Sequence, residues 1–295
     1  MLKNLFTIIV NWNLAEPTMA CIDSLIKAGV FLENIIVVDN GSTDHSVERI
    51  MEKFGNRITF IINNDNKGFA AAVNQGINEA LNRSADWVFL INNDAYIAED
   101  FFLRISQNLE EDYDIISPLI YYHSPPNKIW FVGEKIVPGT LFSYSLWKNK
   151  IDRGKVPPVM KVDFANGAGM IVKRKVFETI GLMDNDLFMY GEEVDFCWRA
   201  KMKNFNCVGI NKAKMWHLIS ASTYRNSSRR NYLKTRNQVV FFRRYSIGIQ
   251  RFINMLLFFM ITSLRGLIQI FHLDFNGAYS FLKGWFDGCR FKLNQ

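Results

Sequence analysis

At 295 residues, 49% of them hydrophobic and 21% charged, the chain can bury a full core, which excludes a disordered protein and fits one large α/β domain with an appendage. The net charge of +7 conceals a division: residues 1–200 hold 19 Lys and Arg against 26 Asp and Glu, whereas residues 201–295 hold 16 against only Asp274 and Asp287. A basic, strongly apolar tail on an acidic body points to an anionic membrane surface or an anionic acceptor, and argues against nucleic acid as a partner.

The first ninety residues alternate in the βα manner. Strands are expected at Phe6–Val10, Ile35–Asp39, Ile58–Ile62 and Trp87–Ile91, with helices opening near Pro17, Asp44 and Phe69. Pro17 suits a first helical turn, and Ser42-Thr43-Asp44 can cap the next helix. Such alternation implies a mostly parallel sheet with helices on both faces and ligands beyond the carboxyl ends of the strands, where Asp39 and Asp94 fall. Residues 118–160, punctuated by Pro118, Pro125-Pro126, Pro138-Gly139 and Pro157-Pro158, read as an irregular insertion of short antiparallel pieces. Regular structure is expected to resume at Val162–Val172, with helices from Lys173 and from Gly191 to Met202, and a strand around Cys207–Ile210. Leu5 to Val10 is only strand-sized, so no signal peptide is expected, and Cys21, Cys197, Cys207 and Cys289 lack paired or metal-type spacing, as in a cytosolic protein with reduced thiols.

From Asn226 onward the chain reads as helical. Thirteen uncharged residues between Arg251 and Arg265 fall short of the roughly 20 that a bilayer span needs, so no spanning helix is expected. At 100° per residue, Arg244, Arg251, Asn254, Thr262, Arg265, Gln269 and His272 share a polar stripe of about 80°, interrupted by Phe258. Two readings are open: a helix lying in the membrane interface through residues 240–290, or a helix packed on the catalytic domain or on a second copy of the chain.

Several short motifs carry chemistry. In Val37–Asp44, the strand-end Asp39 followed by Gly41 and Ser42 suits a base N–H or a ribose, or is an ordinary capped turn; no Gly-x-Gly-x-x-Gly follows the first strand, which lowers a dehydrogenase reading. In Asn66–Asn74, Gly68, Phe69 and the alanines open a helix whose free amides attract anions, or they serve a close helix–sheet contact. Asn92-Asn93-Asp94 ends an apolar strand in oxygen donors fit for a hard cation such as Mg²⁺, which would neutralise a leaving diphosphate, or is a solvated turn after a buried strand. Glu192, Glu193 and Asp195 open a helix; the adjacent pair raises its own pKa values, as a general base requires, and Asp195, about 200° from Glu193, braces the protein or replaces it as base. His217 is a structural imidazole or completes a metal site with Asp94.

Taken in order, Asn11-Trp12-Asn13, Val37–Asp44, Asn66–Ala70, Asn92–Asp94, and Asn166-Gly167-Ala168 followed by Tyr190–Arg199 resemble glycosyltransferase family 2, the inverting GT-A transferases, and in particular its rhamnosyl- and galactofuranosyl-transferase-like members. The resemblance covers Leu5 to Asn237 and implies a GT-A catalytic domain over 1–225, with a nucleotide-binding half 1–95 and an acceptor half 96–225, before the helical region 226–295. It implies that Asp39 holds the nucleobase, that Asp94 is the acid of a D-x-D-like motif with Asn92 at its first position, and that His217 joins the metal. Glu193 matches the family's base, a glutamate where aspartate is usual, with Glu192 and Asp195 as alternatives. Asn11, Trp12, Asn13, Gly41, Ser42, Gly68, Phe69, Asn74, Asn92 and Asn93 are expected around the nucleotide sugar, and Gly167 and Ala168 around the sugar ring. The activity implied is sugar transfer, dTDP-rhamnose being one candidate donor, to a glycan or lipid-linked acceptor at the inner face of the cell membrane. Arg225, Arg229 and Arg230 are candidates to meet a lipid diphosphate. The rival readings are a nucleotidyltransferase, whose Gly-rich basic loop is missing from Asn11–Glu16, and a non-catalytic membrane-binding protein.

Overall fold

The computed structural model describes residues 2–218 and 227–293, so Arg225 lies outside the described residues. The chain divides into two units: residues 1–135, 145–188 and 192–219, and residues 136–144, 189–191 and 220–295.

In the first unit, Ile- and Val-rich strands alternate with helices as the pattern requires. They are β1 Leu5–Asn11, α1 Ala15–Lys27, β2 Ile35–Asn40, α2 Ser46–Phe54, β3 Thr59–Asn63, α3 Phe69–Asn82 and β4 Trp87–Asn92. The expected strands are met to within one residue at each end. All four run parallel in the order β3-β2-β1-β4, so the chain leaves β1 to one side and returns to the other. The carboxyl ends of β1 and β4 therefore flank the topological switch point, where ligands bind in open α/β sheets. The small residues of α3 serve packing first: a Cβ on Gly76 would stand 2.5 Å from Ile8 Cγ2, so only glycine lets the helix lie this close to β1.

The chain continues through β5 Ala95–Ile97, α4 Phe101–Gln107, β6 Tyr113–Tyr122, β7 Ile129–Phe131, β8 Glu134–Ile136, β9 Ser143–Ser145, β10 Val159–Lys161 and β11 Gly169–Lys173. It then forms α5 Arg174–Ile180, α6 Glu192–Met202 and β12 Asn206–His217. β11 runs antiparallel to β4 and β6, and β12 parallel to β6, so β12 points the same way as β4 and ends on the same rim. Three expectations need correction here. Pro118 does not open the irregular insertion but sits inside the ten-residue β6; because it offers no N–H, the ladder breaks beside it, and the register with β12 jumps from Ile210 to Lys214. The expected element at Val162–Val172 shrinks to β11, since Asn166 turns the chain by accepting the Ala168 amide at 2.9 Å. β12 is three times longer than the strand expected at Cys207–Ile210, and His217 is its last residue.

The second unit holds α7 Ser227–Tyr245, α8 Gly248–Phe271 and α9 Phe275–Arg290. Two glycines bring α9 against α7: a Cβ on Gly284 would meet the Tyr232 carbonyl at 2.6 Å, and one on Gly288 the Val239 Cβ at 2.7 Å. The uncharged run of thirteen residues does not bound α8, whose 24 residues and mean hydropathy of 1.6 make it long and apolar enough to cross a membrane. Of the expected polar stripe, Asn254 and Thr262 are buried together with Phe258, Arg251 and Arg265 are exposed, and Arg244 falls on α7 because the helix breaks at Ser246-Ile247. Asn254 donates to Ser246 Oγ at 2.9 Å.

Candidate functional site

Asn11, Asp39 and Asn92 end β1, β2 and β4 on one rim, with Asn11 paired to Asp39 and Val10 to Asn92 in the ladders. Asn11 Nδ2 donates to Asp39 Oδ1 at 2.7 Å and to Ser46 Oγ at 2.8 Å. Asp39 also accepts from Ser42, through Oγ at 2.5 Å and through the amide, on Oδ2, at 2.9 Å. Only 2% exposed, Asp39 is thus held rigid, with Oδ2 the less occupied of its oxygens. Gly41, at φ +77°, carries the chain away where a Cβ would strike the Asp65 backbone at 2.7 Å. Asn13 closes the loop by accepting the Thr43 amide at 2.7 Å, and between them Trp12 is 41% exposed.

Amides knit the floor of this rim. Asn93 turns inward and donates to Thr18 Oγ1 at 3.0 Å, and Thr18 donates to Asn11 Oδ1 at 2.8 Å. Asn40 donates to the Gly68 carbonyl at 3.2 Å and accepts the Lys67 amide at 3.1 Å, fixing the loop before α3. The close approach at Gly68 is made by Phe188, whose ring would stand 2.6 Å from an added Cβ and whose carbonyl accepts the Ala70 amide at 3.2 Å. Asn74 spends its amide on a loop 109 residues away: Nδ2 donates to Met183 O at 2.7 Å and Oδ1 accepts the Met183 amide at 3.1 Å. Phe69 lies against Gly167, where an added Cβ would be 3.3 Å from its ring, and Ala168 O accepts the Asn92 amide at 3.2 Å. The expected sugar-pocket residues therefore adjoin the end of β4.

Asp94 and His217, 123 residues apart in sequence, meet here. His217 Nε2 is 2.8 Å from Asp94 Oδ1 and 3.2 Å from Asn92 Nδ2, and both Asp94 and His217 are 7% exposed. One ring nitrogen cannot donate to a carboxylate and also accept from an amide, so the three groups are not jointly satisfied by hydrogen bonds alone. His217 Nδ1 is buried without a partner, and Trp130 packs on the ring at 4.7 Å. A divalent cation fits these residues. Asp94 Oδ1 and His217 Nε2 are the carboxylate oxygen and imidazole nitrogen that would hold it. Among the described residues no group of three or more His, Cys, Asp or Glu is placed to hold a metal ion. Behind it the Cys21 thiol, 3.7 Å from Asn92 O, is pushed up by burial and by the Asp94 charge, which keeps it an unreactive thiol.

The acidic cluster separates by environment. Asp195 is the brace: buried, it accepts from Arg199 Nε at 2.8 Å, and Arg199 also donates to the Leu182 carbonyl at 2.8 Å. Glu192, 4% exposed with Oε2 unpartnered, has its carboxyl pushed well up, first by burial and then by Glu193. Glu193 is half-buried and reaches solvent. Two observations tie α6 to the rim: Cys197 Sγ lies 3.9 Å from Met170 on β11, and Phe188 on Gly68 is only four residues, at most about 14 Å of chain, from Glu192. Trp130, Thr18 and Phe188 were not anticipated; only Thr18 carries a signal, as a buried hydroxyl at the start of α1.

Residues 7–181 match the profile of glycosyl transferase family 2. The chain belongs to this family. The low-salt glycan biosynthesis hexosyltransferase Agl10 of Haloferax volcanii is 32% identical over 209 residues, 70% of this chain and just under two thirds (64%) of that protein's length. The dTDP-rhamnosyl transferase RfbF of Shigella flexneri is 23% identical over 267 residues, covering 84% and 83%. In fold, the chain is similar to GalNAc-T7, solved with UDP, GalNAc and Mn²⁺ (TM-score 0.62, 14% identity, 80% of this chain and 47% of that one). It is also similar to the mannosyltransferase PcManGT of Pyrobaculum calidifontis, solved with GDP-Man and Mn²⁺ (TM-score 0.58, 11% identity, 97% and 87%). The sheet of this family 2 glycosyltransferase is thus of GT-A type, and the helices α7–α9 follow it.

Proposed function

We propose that this glycosyltransferase moves a sugar, with inversion at the anomeric carbon, from a nucleoside diphosphate sugar to a hydroxyl of a glycan or lipid-linked acceptor in cell-surface polysaccharide synthesis at the cytoplasmic face of the membrane. The observation that carries the reading is the meeting of Asp94, His217 and Asn92 at the switch-point rim, with hydrogen-bonding demands that a cation would resolve. Asp94 and His217 would hold Mg²⁺ or Mn²⁺, which would supply positive charge to the departing diphosphate. Asp39 and the exposed Trp12 take the nucleobase, Asp39 through Oδ2 and Trp12 by stacking. Gly167 and Ala168 leave room for the sugar beside Asn92.

Glu193 is the base that removes the acceptor proton as the hydroxyl oxygen attacks the face opposite the leaving diphosphate. Glu192 is the less suited of the pair, since at 4% exposed it is out of reach of an acceptor hydroxyl, whereas Glu193 reaches solvent. The name of the Shigella relative makes dTDP-rhamnose the first donor to test.

The expected result is release of nucleoside diphosphate only when Mg²⁺ or Mn²⁺ is added, with a glycoside as co-product. Asp94→Asn should lose activity and metal dependence together. Release of pyrophosphate would favour a nucleotidyltransferase instead, and undiminished turnover by Asp94→Asn would overturn the metal assignment.

A further inference from the structure

Among the described residues, 19 of the 28 exposed large hydrophobic side chains fall between Ile247 and Phe286. On α8 they span an arc of about 200° at 100° per residue, from Phe259 round through Leu256 and Leu264 to Ile261, and no charged residue lies in that arc. One partner helix covers about 100°, so a second copy of the chain would leave much of the arc in water; a hydrocarbon medium covers all of it. Arg251 and Arg265 lie on the opposite meridian with the buried Asn254 and Thr262. Ordinary interfacial helices turn their whole polar side to water; α8 turns Asn254 and Thr262 to the protein and keeps Arg251 and Arg265 exposed beside them, outside the apolar arc.

The neighbours of α8 set its attitude. α9 runs along it, with Trp285 at 5.9 Å from Phe258 and 5.3 Å from Phe259, and α9 is itself fitted to α7 through Gly284 and Gly288. α7 carries Arg229, Arg230, Lys234, Arg236, Arg243 and Arg244, which have no place in hydrocarbon. A helix fastened lengthwise to that layer cannot cross the bilayer without drawing the arginines in. On α9 the exposed Phe275, Leu282 and Phe286 are bordered by Asn276 and Lys283, which with Arg229, Ser228 and Tyr232 line a cleft of ≈ 400 Å³.

Resting on the membrane location read above, we propose that α8 and the apolar edge of α9 sink side-on into one leaflet of an anionic phospholipid bilayer, with α8 parallel to the membrane plane and the Arg229–Lys283 cleft taking a lipid headgroup phosphate. The excess of 16 basic over two acidic residues across 201–295 matches that surface in charge.

The test uses the full chain and two vesicle types, phosphatidylcholine alone and phosphatidylcholine with phosphatidylglycerol. The protein should sediment with both and at least tenfold more tightly with the second. Leu256→Glu with Leu264→Glu, both at exposed positions, should abolish sedimentation while circular dichroism stays unchanged. Arg229→Ala with Lys283→Ala should keep binding to phosphatidylcholine but lose the preference for phosphatidylglycerol; a retained preference overturns the headgroup cleft. Fluorophores on single cysteines at Ile249, Met260 and Leu267, in a Cys289→Ser background, should be quenched equally by lipids brominated at one depth. A profile deepest at Met260 and shallow at both ends would mean a span and overturns the side-on arrangement alone. Failure to bind any vesicle, with a dimer in solution that Leu264→Glu dissociates, would overturn the membrane location too. Neither result bears on nucleoside diphosphate release.

Discussion

The first unit and helix α8 of the second sort their side chains in opposite ways. In the first, β4 is lined by Phe89, stacked on Phe101 at 5.5 Å and edge-on to Phe102 at 6.0 Å, and the polar groups gather at the strand ends, where a ligand can reach them. In α8 of the second, Asn254 and Thr262 are inside with Phe258, while the leucines and the other phenylalanines are outside. A hydrophobic side chain is put away from water in both cases; what differs is whether the chain itself supplies the apolar medium.

That contrast can be broken most sharply by truncation. Phe89→Ala should destabilise the first unit by about 3–5 kcal/mol in denaturant unfolding, whereas Leu264→Ala, exposed on α8, should move stability by less than about 0.5 kcal/mol in detergent. Equal costs would mean that α8 is covered by protein after all. Next in size, Glu193→Gln should slow transfer by roughly 10²-fold or more with donor affinity intact, as expected when a general base is removed; if Glu192→Gln is the inactive variant instead, the assignment within the pair is wrong. The smallest effect concerns Glu192 itself. Its carboxyl is raised in the fold, so the folded protein keeps a proton that the unfolded chain releases above the ordinary carboxylate range, and stability falls as pH rises toward the folded value. Glu192→Gln should therefore have a higher unfolding midpoint than the parent at pH 8, with the gap closing below pH 4; a gap independent of pH would remove the buried proton from the account.

β1, β2 and β4 were legible because parallel strands buried on both faces read as continuous apolar runs, and the strand-end acids mark the rim with them. β6 was not, because Pro118 reads as a breaker unless the bulge opposite it is known. Of the polar stripe, the part from Arg251 to Gln269 lies on α8, while Arg244 belongs to α7; periodicity gives the contrast between faces and not where a helix breaks or which face meets the protein. Amides were hardest to place. Asn93 adjoins Asn92 and Asn74 closes the Gly68 motif, yet their hydrogen bonds go to Thr18 and Met183, partners that only the folded chain supplies. The Asp94–His217 meeting depends on β12 running parallel to β4 through two intervening strands, and no local pattern encodes that.

The grip of Asn74 on both backbone groups of Met183 bears on how this enzyme can be recombined with its relatives. A chimera cut between residues 95 and 96, taking its front half from another transferase, would meet the 183–188 loop with a foreign α3 at its back. Such hybrids should work only when that loop travels with the front half, so donor preference cannot be exchanged as a simple cassette.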